Sequence, residues 1–395
     1  MQIGRTKHFR RRGILLGCLV ICAAAFFTPT AQTVGGNGHS GAVYVQTNTA
    51  PANYVMVFDR NPNGTLTPAG RVATGGVGKP AGNPPLGIPF LDTAGSVTLS
   101  QNGRFLFVVN AGDDTVSSFR VGPHGLQLAD VEPSLGIRPA SSTTHGDLLY
   151  VLNSELATAN ISGYRIGSNG ALTPIPGSVQ PTGQPDGGMP AQIQFDATGT
   201  VLTVTERAAG GDGRIDTFLI DGNGVAGPPL AHPTSGAGPF GVAFTHRNHM
   251  IVSNEHFPDV LESDVSSYGL TRQGDVTPID TEPANAGGAC WNVITNNDKY
   301  VLVTSPFTFN INSFRIERNG ELTPVNGSSV VATAQGLTLD EALSHDSKYL
   351  YVLVSEATAF AHSEVNAYRV NKDGTITLIQ TTAPFEGSSS GAAAW

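Results

Sequence analysis

The sequence predicts an all-β fold, a seven-bladed β-propeller in which each blade has four antiparallel strands. One pattern of strands and turns recurs seven times, with an aromatic residue in each third strand and a glycine in the turn that follows. The aromatic positions lie about 52 residues apart on average, which is typical of propeller blades. No long segment shows the 3.6-residue apolar period that would indicate helical repeats.

The repeating unit is clearest at residues 104–128. A strand rich in β-forming residues (104–110) precedes a strand of alternating polarity (115–121), a His-Gly turn and a short final strand. The third-strand aromatics are Phe58, Phe119, Tyr164, Phe218, Tyr268, Phe314 and Tyr368. The turn glycines are Gly64, Gly125, Gly170, Gly224, Gly274, Gly320 and Gly374. Four of these turns read Asn-Gly and one reads Asp-Gly, the residues that tolerate positive φ in tight hairpins.

The last strand of several units contains a proline. It reads Leu-Thr-Pro at 66–68, 172–174 and 322–324, and Val-Thr-Pro at 276–278. Because proline cannot donate a ladder hydrogen bond, it favours the edge of a sheet. The pattern therefore places this strand at the outer edge of each blade.

The two ends of the chain indicate how the ring closes. The first unit has its second strand near residues 42–46 but lacks an innermost strand, and the chain ends in Gly-Ala-Ala-Ala-Trp at 391–395. We expect the C-terminal segment to complete blade one, because closure protects sheet edges that would otherwise be exposed. The alternative is a frayed tail over residues 388–395.

The N-terminus has the features of a secretory signal. Four basic residues, Lys7, Arg10, Arg11 and Arg12, precede an apolar run at 13–27 that is short for a membrane span. We assign residues 1–31 to a signal peptide and residues 32–395 to a single propeller domain. The alternative is an uncleaved anchor. The expected location is secreted or periplasmic.

Removal of residues 1–31 changes the charge and the cysteine content. The remainder has 17 Lys and Arg and 31 Asp and Glu, a net charge of −14, and its single cysteine is Cys290. An acidic exported protein is a poor partner for nucleic acid or anionic lipid. We expect no disulfide within the chain, no nucleic-acid partner, no membrane association after cleavage, and a monomer.

Two sets of loops are expected to meet at one mouth of the propeller, those that follow second strands and those that lead into innermost strands. Among them we expect three catalytic residues: Glu206, Arg207 and Glu255. The expected substrate-binding residues are Asn110, Arg138, Asn153, Glu155, Gln192, Asn254, His256, Trp291 and Asp340. A carboxylate base and a cation that stabilises an oxyanion would suit hydrolysis of a strained ester.

Structural roles compete with several of these assignments. Asn110, Asn153 and Asn254 end strands, where asparagine often caps a turn. A lone cysteine such as Cys290 is more often a small buried apolar residue than a nucleophile. Ser389 has the spacing of a nucleophile elbow, but it lacks the strand-turn-helix setting in which that motif works. The sequence contains no zinc, EF-hand or phosphate-loop motif, so we expect neither metal nor cofactor. Calcium in an acidic channel stays an open alternative.

Three segments carry a family resemblance: residues 96–112, Val204 to Arg207, and residues 343–351. Together with the Asn-Gly-x-Leu-Thr-Pro blade ends, they resemble the seven-bladed lactonase family, which includes 6-phosphogluconolactonases and carboxymuconate-cyclising enzymes. The resemblance covers nearly all of the chain after the signal. It implies a cofactor-free cleft with His, Glu and Arg side chains at the channel mouth. Glu155, Glu206, Arg207 and Glu255 lie where such groups would be supplied.

The leading hypothesis is therefore an exported lactonase-like hydrolase that acts on a small lactone at the mouth of the channel. The alternative is a non-catalytic exported module that binds a small ligand or a protein, because propellers are rigid platforms and fold does not fix function. The sequence has no histidine at the start of an innermost strand, which favours this alternative.

Export gives the first testable prediction. Expressed with its own N-terminus in a bacterial host, the chain is expected outside the cytoplasm with a new N-terminus near residue 32. N-terminal sequencing of the fractionated protein measures this. A full-length chain that stays in the membrane fraction would instead indicate an uncleaved anchor.

Overall fold

The computed structural model describes residues 40–79, 91–183, 188–208, 213–358, 360–387 and 389–395. The predicted signal segment, 1–31, lies outside the described residues, and the domain boundary at residue 32 stays a prediction. Within the described ranges there are three 3₁₀ helices and no α-helix: Val260–Glu262, Pro306–Thr308 and Val325–Gly327. None of these described helices is long and apolar enough to cross a membrane.

The strands form seven antiparallel sheets, which are the blades. Blade 1 contains β1 (Gly41–Gln46), β2 (Tyr54–Arg60), β3 (Leu66–Ala73) and, innermost, the last strand of the chain, β31 (Ser390–Ala394). Blade 2, from the innermost strand outwards, contains β4 (Val97–Leu99), β5 (Phe105–Asn110), β6 (Thr115–Gly122) and β7 (Gly125–Pro133). Blade 3 contains β8 (Pro139–His145), β9 (Leu148–Asn153), β10 (Asn160–Ile166), β11 (Leu172–Pro174) and β12 (Gln180–Pro181).

The remaining blades follow the same order. Blade 4 contains β13 (Gly188–Phe195), β14 (Val201–Ala208), β15 (Arg214–Leu219) and β16 (Leu230–His232). Blade 5 contains β17 (Pro239–Phe244), β18 (His249–Asn254), β19 (Asp264–Leu270) and β20 (Val276–Pro283). Blade 6 contains β21 (Asn292–Ile294), β22 (Tyr300–Ser305), β23 (Asn310–Ile316), β24 (Leu322–Pro324) and β25 (Val330–Thr333). Blade 7 contains β26 (Leu337–Leu343), β27 (Tyr349–Ser355), β28 (His362–Val370), β29 (Ile376–Thr381) and β30 (Phe385–Glu386).

The innermost strands form a closed ring. Each innermost strand contacts the innermost strands of both neighbouring blades, in the cyclic order β4, β8, β13, β17, β21, β26 and β31. In blades 3, 6 and 7 the outer edge is made of two separate strand segments that pair with the same third strand. The prediction of seven four-stranded blades is confirmed, with this interruption of three outer strands as the one added feature.

The repeated residues have the roles that the sequence indicates. All seven third-strand aromatics are buried, and all seven turn glycines have φ between +77° and +93°, a region that favours glycine. The four outer-strand prolines each stand opposite a third-strand aromatic, as Pro68 does opposite Phe58. The buried aromatics supply the packing between blades, and proline is confined to edges where its missing donor is tolerated.

The C-terminal segment closes the ring as predicted. Strand β31 pairs with β1, and the Trp395 amide donates a 2.9 Å hydrogen bond to the carbonyl of Ala42. The Trp395 ring stacks on His345 of blade 7 at a centroid distance of 4.2 Å, and its carbonyl accepts a 3.0 Å hydrogen bond from Arg60 Nε. The last residue therefore joins blade 1 to blade 7.

Deletion of residues 391–395 is expected to lower the free energy of unfolding by at least about 3 kcal/mol, because it exposes the inner edge of β1 and removes the buried Ala392 and Ala393. Thermal unfolding followed by circular dichroism measures this loss. As a control, Leu378→Ala on the exposed face of β29 is expected to change stability by less than about 0.5 kcal/mol. An unchanged melting temperature after the deletion would favour the frayed-tail alternative.

Candidate active site

Two cavities follow one another along the innermost strands. The first, the mouth cleft, is lined by Lys79, Asp92, Arg138, Ser154, Pro190 and Arg207, among others. The second, the central channel, is lined by the innermost strands of all seven blades, with Gln192, Asn292, Asp340 and Glu341 among its polar residues. No described residue lines both cavities.

A buried apolar layer lies between the mouth cleft and the central channel. In blade 4, Pro190 lines the cleft, Ala191 belongs to the apolar layer and Gln192 lines the channel. The rings of Phe240 and Trp291 meet in this layer at a centroid distance of 4.8 Å. Since one strand contributes to both cavities within three residues, residues adjacent in sequence belong to different sites.

Arg207 is the central charged group of the mouth cleft. This residue lies near the end of β14, is 3 % exposed, and donates from Nη1 to Asp92 Oδ2 at 2.7 Å. Its Nη2 donates to the Asp92 carbonyl at 3.0 Å, and both Glu255 carboxylate oxygens lie 3.4 Å from Nη1. The guanidinium carbon also lies 4.9 Å from the centre of the Phe240 ring. Two carboxylates and an aromatic face thus fix the guanidinium in one orientation.

The charges in this cluster shift one another's protonation. Burial alone would lower the pKa of Arg207, but the Asp92 and Glu255 carboxylates raise it above its ordinary value, so the guanidinium stays charged. Burial raises the pKa of Glu255 to about 7, against the lowering effect of Arg207 and with a further raising effect from Asp92. A carboxylate with a pKa near 7 can accept a proton at neutral pH.

Two further cations line the mouth cleft. Arg138 donates from Nε to Ser154 Oγ at 3.1 Å, and its Nη1 lies 3.7 Å from Glu155 Oε2. Burial lowers the pKa of Arg138, while Glu155 raises it and Arg207 lowers it further. Burial lowers the pKa of Lys79 to about 8, with Asp92 raising it and Arg138 lowering it. The structure therefore places Arg138 and Arg207 on the wall of one cleft. Glu155 lies beside Arg138 and Glu255 beside Arg207, and neither glutamate is among the described residues that line the cleft.

Glu206 does not belong to this cluster. Successive side chains of a strand point to opposite faces, so Glu206 faces away from its neighbour Arg207. Its buried carboxyl approaches Asp216 of β15, and Asp216 accepts a 2.6 Å hydrogen bond from the Gly183 amide. Burial and the adjacent Asp216 carboxyl raise the pKa of Glu206 to about 9. The expectation that Glu206 and Arg207 act on one substrate is therefore corrected.

Asn110, Asn153 and Asn254 lie between blades, not in either cavity. Each is buried at the end of a second strand and opposite the first residue of the third strand. Asn110 Nδ2 donates to Ser117 Oγ at 2.8 Å, and Asn254 Nδ2 donates to Ser266 Oγ at 2.9 Å. These contacts use the amide nitrogens within the fold, so the structure gives the three side chains a structural role in place of the expected substrate-binding one.

Four other expected site residues lie away from the mouth cleft. Gln192 and Asp340 line the central channel, and Trp291 lies in the apolar layer with its indole nitrogen donating to the Thr93 carbonyl at 3.0 Å. His256 Nε2 lies 2.7 Å from Asp264 Oδ2, and His256 is not among the described residues that line the mouth cleft. Among the described residues, no group of three or more His, Cys, Asp or Glu side chains is arranged to hold a metal ion.

The profile of the Lactonase, 7-bladed beta-propeller family matches this chain over residues 39–185 and 90–389. The chain belongs to this family. No curated protein sequence matches this lactonase-family propeller closely enough to count as a relative.

Solved structures similar to this lactonase-family propeller share its fold at low sequence identity. A proposed 6-phosphogluconolactonase from Bacteroides fragilis is 18% identical with a TM-score of 0.66, and the alignment covers 91% of this chain and 99% of that one. The periplasmic gluconolactonase of Pseudomonas aeruginosa is 16% identical with a TM-score of 0.68, and the alignment covers 90% and 98%. At this identity the similarity shows the fold alone.

The sequence did not lead us to assign four residues to a site: Lys79, Asp92, Asp216 and Glu341. Asp92 lies just before the innermost strand of blade 2, so the rule that selected Arg138 would have found it once that strand had been located. Asp216 pairs with Val204 and lies two residues beyond Arg214, the strand partner of Glu206. Ser117 has the same relation to Asn110, because it lies two residues beyond Thr115, the strand partner of Asn110. Only strand register identifies it.

The Glu206–Asp216 pair predicts a specific dependence of stability on pH. The folded-state pKa of Glu206, about 9, exceeds its ordinary value of 4.5, so the protonated form favours the folded state. Its contribution is complete below about pH 4.5 and is lost as pH rises towards 9. Urea unfolding at pH 6 and pH 9 is expected to show lower stability at pH 9, with a smaller difference in Glu206→Gln.

Glu262→Gln provides the control, because Glu262 is exposed in the segment between β18 and β19 and its substitution is expected to leave the pH difference unchanged. Other buried acids contribute to the same trend, so Glu206→Gln reduces the pH difference and does not remove it. Equal pH differences in the wild type and in Glu206→Gln would contradict the assignment.

Proposed function

We propose that this lactonase-family propeller is a lactonase-like hydrolase that opens a small lactone at the mouth cleft. The observation that carries the proposal is Arg207, which lines that cleft with Asp92 and is paired from behind the lining with Glu255. A fixed cation beside a carboxylate of pKa about 7 supplies the two groups that ester hydrolysis needs.

In the proposed reaction, Glu255 accepts a proton from water as the water oxygen adds to the lactone carbonyl carbon. Arg207 stabilises the negative charge that develops on the carbonyl oxygen. The ring C–O bond then breaks, and the proton on Glu255 passes to the departing alkoxide, which gives a hydroxy acid. Asp92 is a positioning residue, because its carboxylate and carbonyl both hold the guanidinium.

The size of the mouth cleft supports a role in holding the attacking water. Its volume is about 10 Å³, which is close to the space that one water molecule requires. We infer that the lactone lies on the solvent side of this volume, where the positive charges of Lys79 and Arg138 attract its oxygen atoms. The reaction as proposed requires no metal and no cofactor.

The second candidate function is a non-catalytic binding module. One observation favours it: Arg207 already has two carboxylate partners within the protein, and no histidine is among the described residues of the mouth cleft. Under this alternative the cleft binds a small ligand without turnover, and a ligand raises the melting temperature while no product forms.

We also propose export, to the periplasm or beyond. The basic and apolar N-terminal segment supports it, and one protein of the same fold is a periplasmic gluconolactonase. The net charge of −14 expected after cleavage favours a soluble small-molecule substrate over nucleic acid or anionic lipid.

Substitution of the cluster is expected to abolish hydrolysis of lactones. Against a panel of aldonolactones and simple γ- and δ-lactones, Arg207→Ala and Glu255→Gln are expected to lower kcat/KM by about 100-fold or more. In the wild type, kcat/KM is expected to rise as pH increases through about 7, because Glu255 acts in its ionised form. Glu255→Gln is expected to lose this rise.

Glu262→Gln serves as the matched control, because this exposed residue follows the same strand as Glu255 and is not one of the described ion-pair partners of Arg207. It is expected to keep wild-type kinetics. Turnover that survives both Arg207→Ala and Glu255→Gln in folded protein would exclude this cleft, and ligand-induced stabilisation without turnover would favour the binding module.

A further inference from the structure

The central channel contains acidic groups that the proposed reaction does not use. It has a volume of about 360 Å³ and is separated from the mouth cleft by the layer that contains Phe240 and Trp291. Its described lining includes Asp340 and Glu341 together with polar amide side chains such as Asn292. No Lys, Arg or His is among the described residues that line it.

Asp340 is anchored by backbone donors. Its Oδ1 accepts a 2.8 Å hydrogen bond from the Glu341 amide, and its Oδ2 accepts a 3.3 Å hydrogen bond from the Ala392 amide of β31. The residue is 6 % exposed. Donors of this kind favour the ionised form of a carboxylate, and they fix the position of the Asp340 oxygens at the channel.

Glu341 has no such anchor. It is 3 % exposed, and within the described chain neither of its carboxylate oxygens has a hydrogen-bond partner. The Oδ1 atom of Asn292, on the innermost strand of the neighbouring blade 6, also has no partner among the described residues. Two blades therefore present unpartnered oxygen atoms to the same channel.

The strand geometry explains why two adjacent acids line one channel. The pairing of β26 with β27 shifts register between Thr338 and Glu341, so Asp340 lies within an irregularity of the strand. A bulge of this kind redirects side chains that would otherwise alternate between the two faces. Asp340 and Glu341 consequently both contribute to the channel lining.

A buried carboxylate without a partner lowers the stability of the folded protein. Burying a charge without a partner is strongly unfavourable, and a buried polar atom without a hydrogen bond costs about 1–3 kcal/mol. Either protons or a cation must compensate the charges of Asp340 and Glu341.

We propose that the central channel binds one hard divalent cation, of the calcium type, through the carboxylates of Asp340 and Glu341 and the Oδ1 atom of Asn292. Carboxylate and amide oxygens are the ligands that such cations prefer, and water completes their coordination. The ligand set has two acids and one amide, so it differs from a group of three His, Cys, Asp or Glu ligands, of which the described residues contain none.

The site would couple cation binding to ring closure. Asp340 accepts its hydrogen bond from Ala392, which belongs to the strand that closes blade 1. A cation that fixes the ionised Asp340 carboxylate strengthens this contact between blades 7 and 1. Binding is therefore expected to stabilise the folded ring.

The test is calcium titration of the EDTA-treated, purified chain by isothermal calorimetry at pH 7, with magnesium, sodium and potassium in parallel. We expect one calcium per chain, a higher melting temperature, and release of protons, seen as a binding heat that depends on the ionisation enthalpy of the buffer. No calcium binding, or equal stabilisation by sodium or potassium at the same ionic strength, would overturn the proposal.

Substitutions locate the site. Glu341→Gln is expected to abolish calcium binding and leave the calcium-free melting temperature equal or higher, because a neutral amide replaces an unpartnered acid. Glu356→Gln, exposed on the same blade, is the matched control and is expected to bind as the wild type does. Calcium binding that survives Glu341→Gln would contradict the assignment.

A second variant keeps the test decisive if Glu341→Gln fails to fold. Asn292→Asp adds a third carboxylate and is expected to tighten calcium binding about tenfold while lowering calcium-free stability. Unchanged calcium affinity in this variant would overturn the proposal. These measurements use binding and stability, so they are independent of lactone hydrolysis.

Discussion

The ladder of hydrogen bonds between β31 and β1 is the contact on which the rest of this structure depends. It joins the last residues of the chain to the first described strand, and Trp395 extends the junction to His345 of blade 7. With the ring closed, every innermost strand has two neighbours, and the strand starts converge on one axis. Both cavities form where the innermost strands converge, so both depend on the closed ring.

Closure also creates an electrostatic difficulty at the axis. Side chains from several blades are brought into a small volume that excludes most water, so each charge there needs a partner. The mouth cleft meets this need internally, with Arg207 between Asp92 and Glu255. The described lining of the channel offers no cation to Glu341. The same physical argument therefore underlies our two proposals, catalysis at the mouth cleft and cation binding in the channel.

A repeated fold lets one position be compared across blades. The end of the second strand carries Asn110, Asn153 and Asn254 in three blades, where the amide links the second and third strands. Blade 4 has Glu206 at that position and Asp216 where those three blades have a serine, so two carboxyls replace a neutral pair. Such a substitution ties the stability of this blade to pH without changing its backbone.

The sequence by itself determined the fold, because turn glycines, buried aromatics and edge prolines act through short-range geometry that recurs seven times. It also identified Arg207, Glu255 and Arg138 as neighbours, since loop position in a propeller fixes which face a residue occupies. It could not separate Glu206 from Arg207, or Gln192 and Asp340 from the mouth cleft, because strand alternation, bulges and the apolar layer decide those placements residue by residue. Contacts such as Asp92 with Arg207 join residues 115 positions apart and arise only when the ring closes.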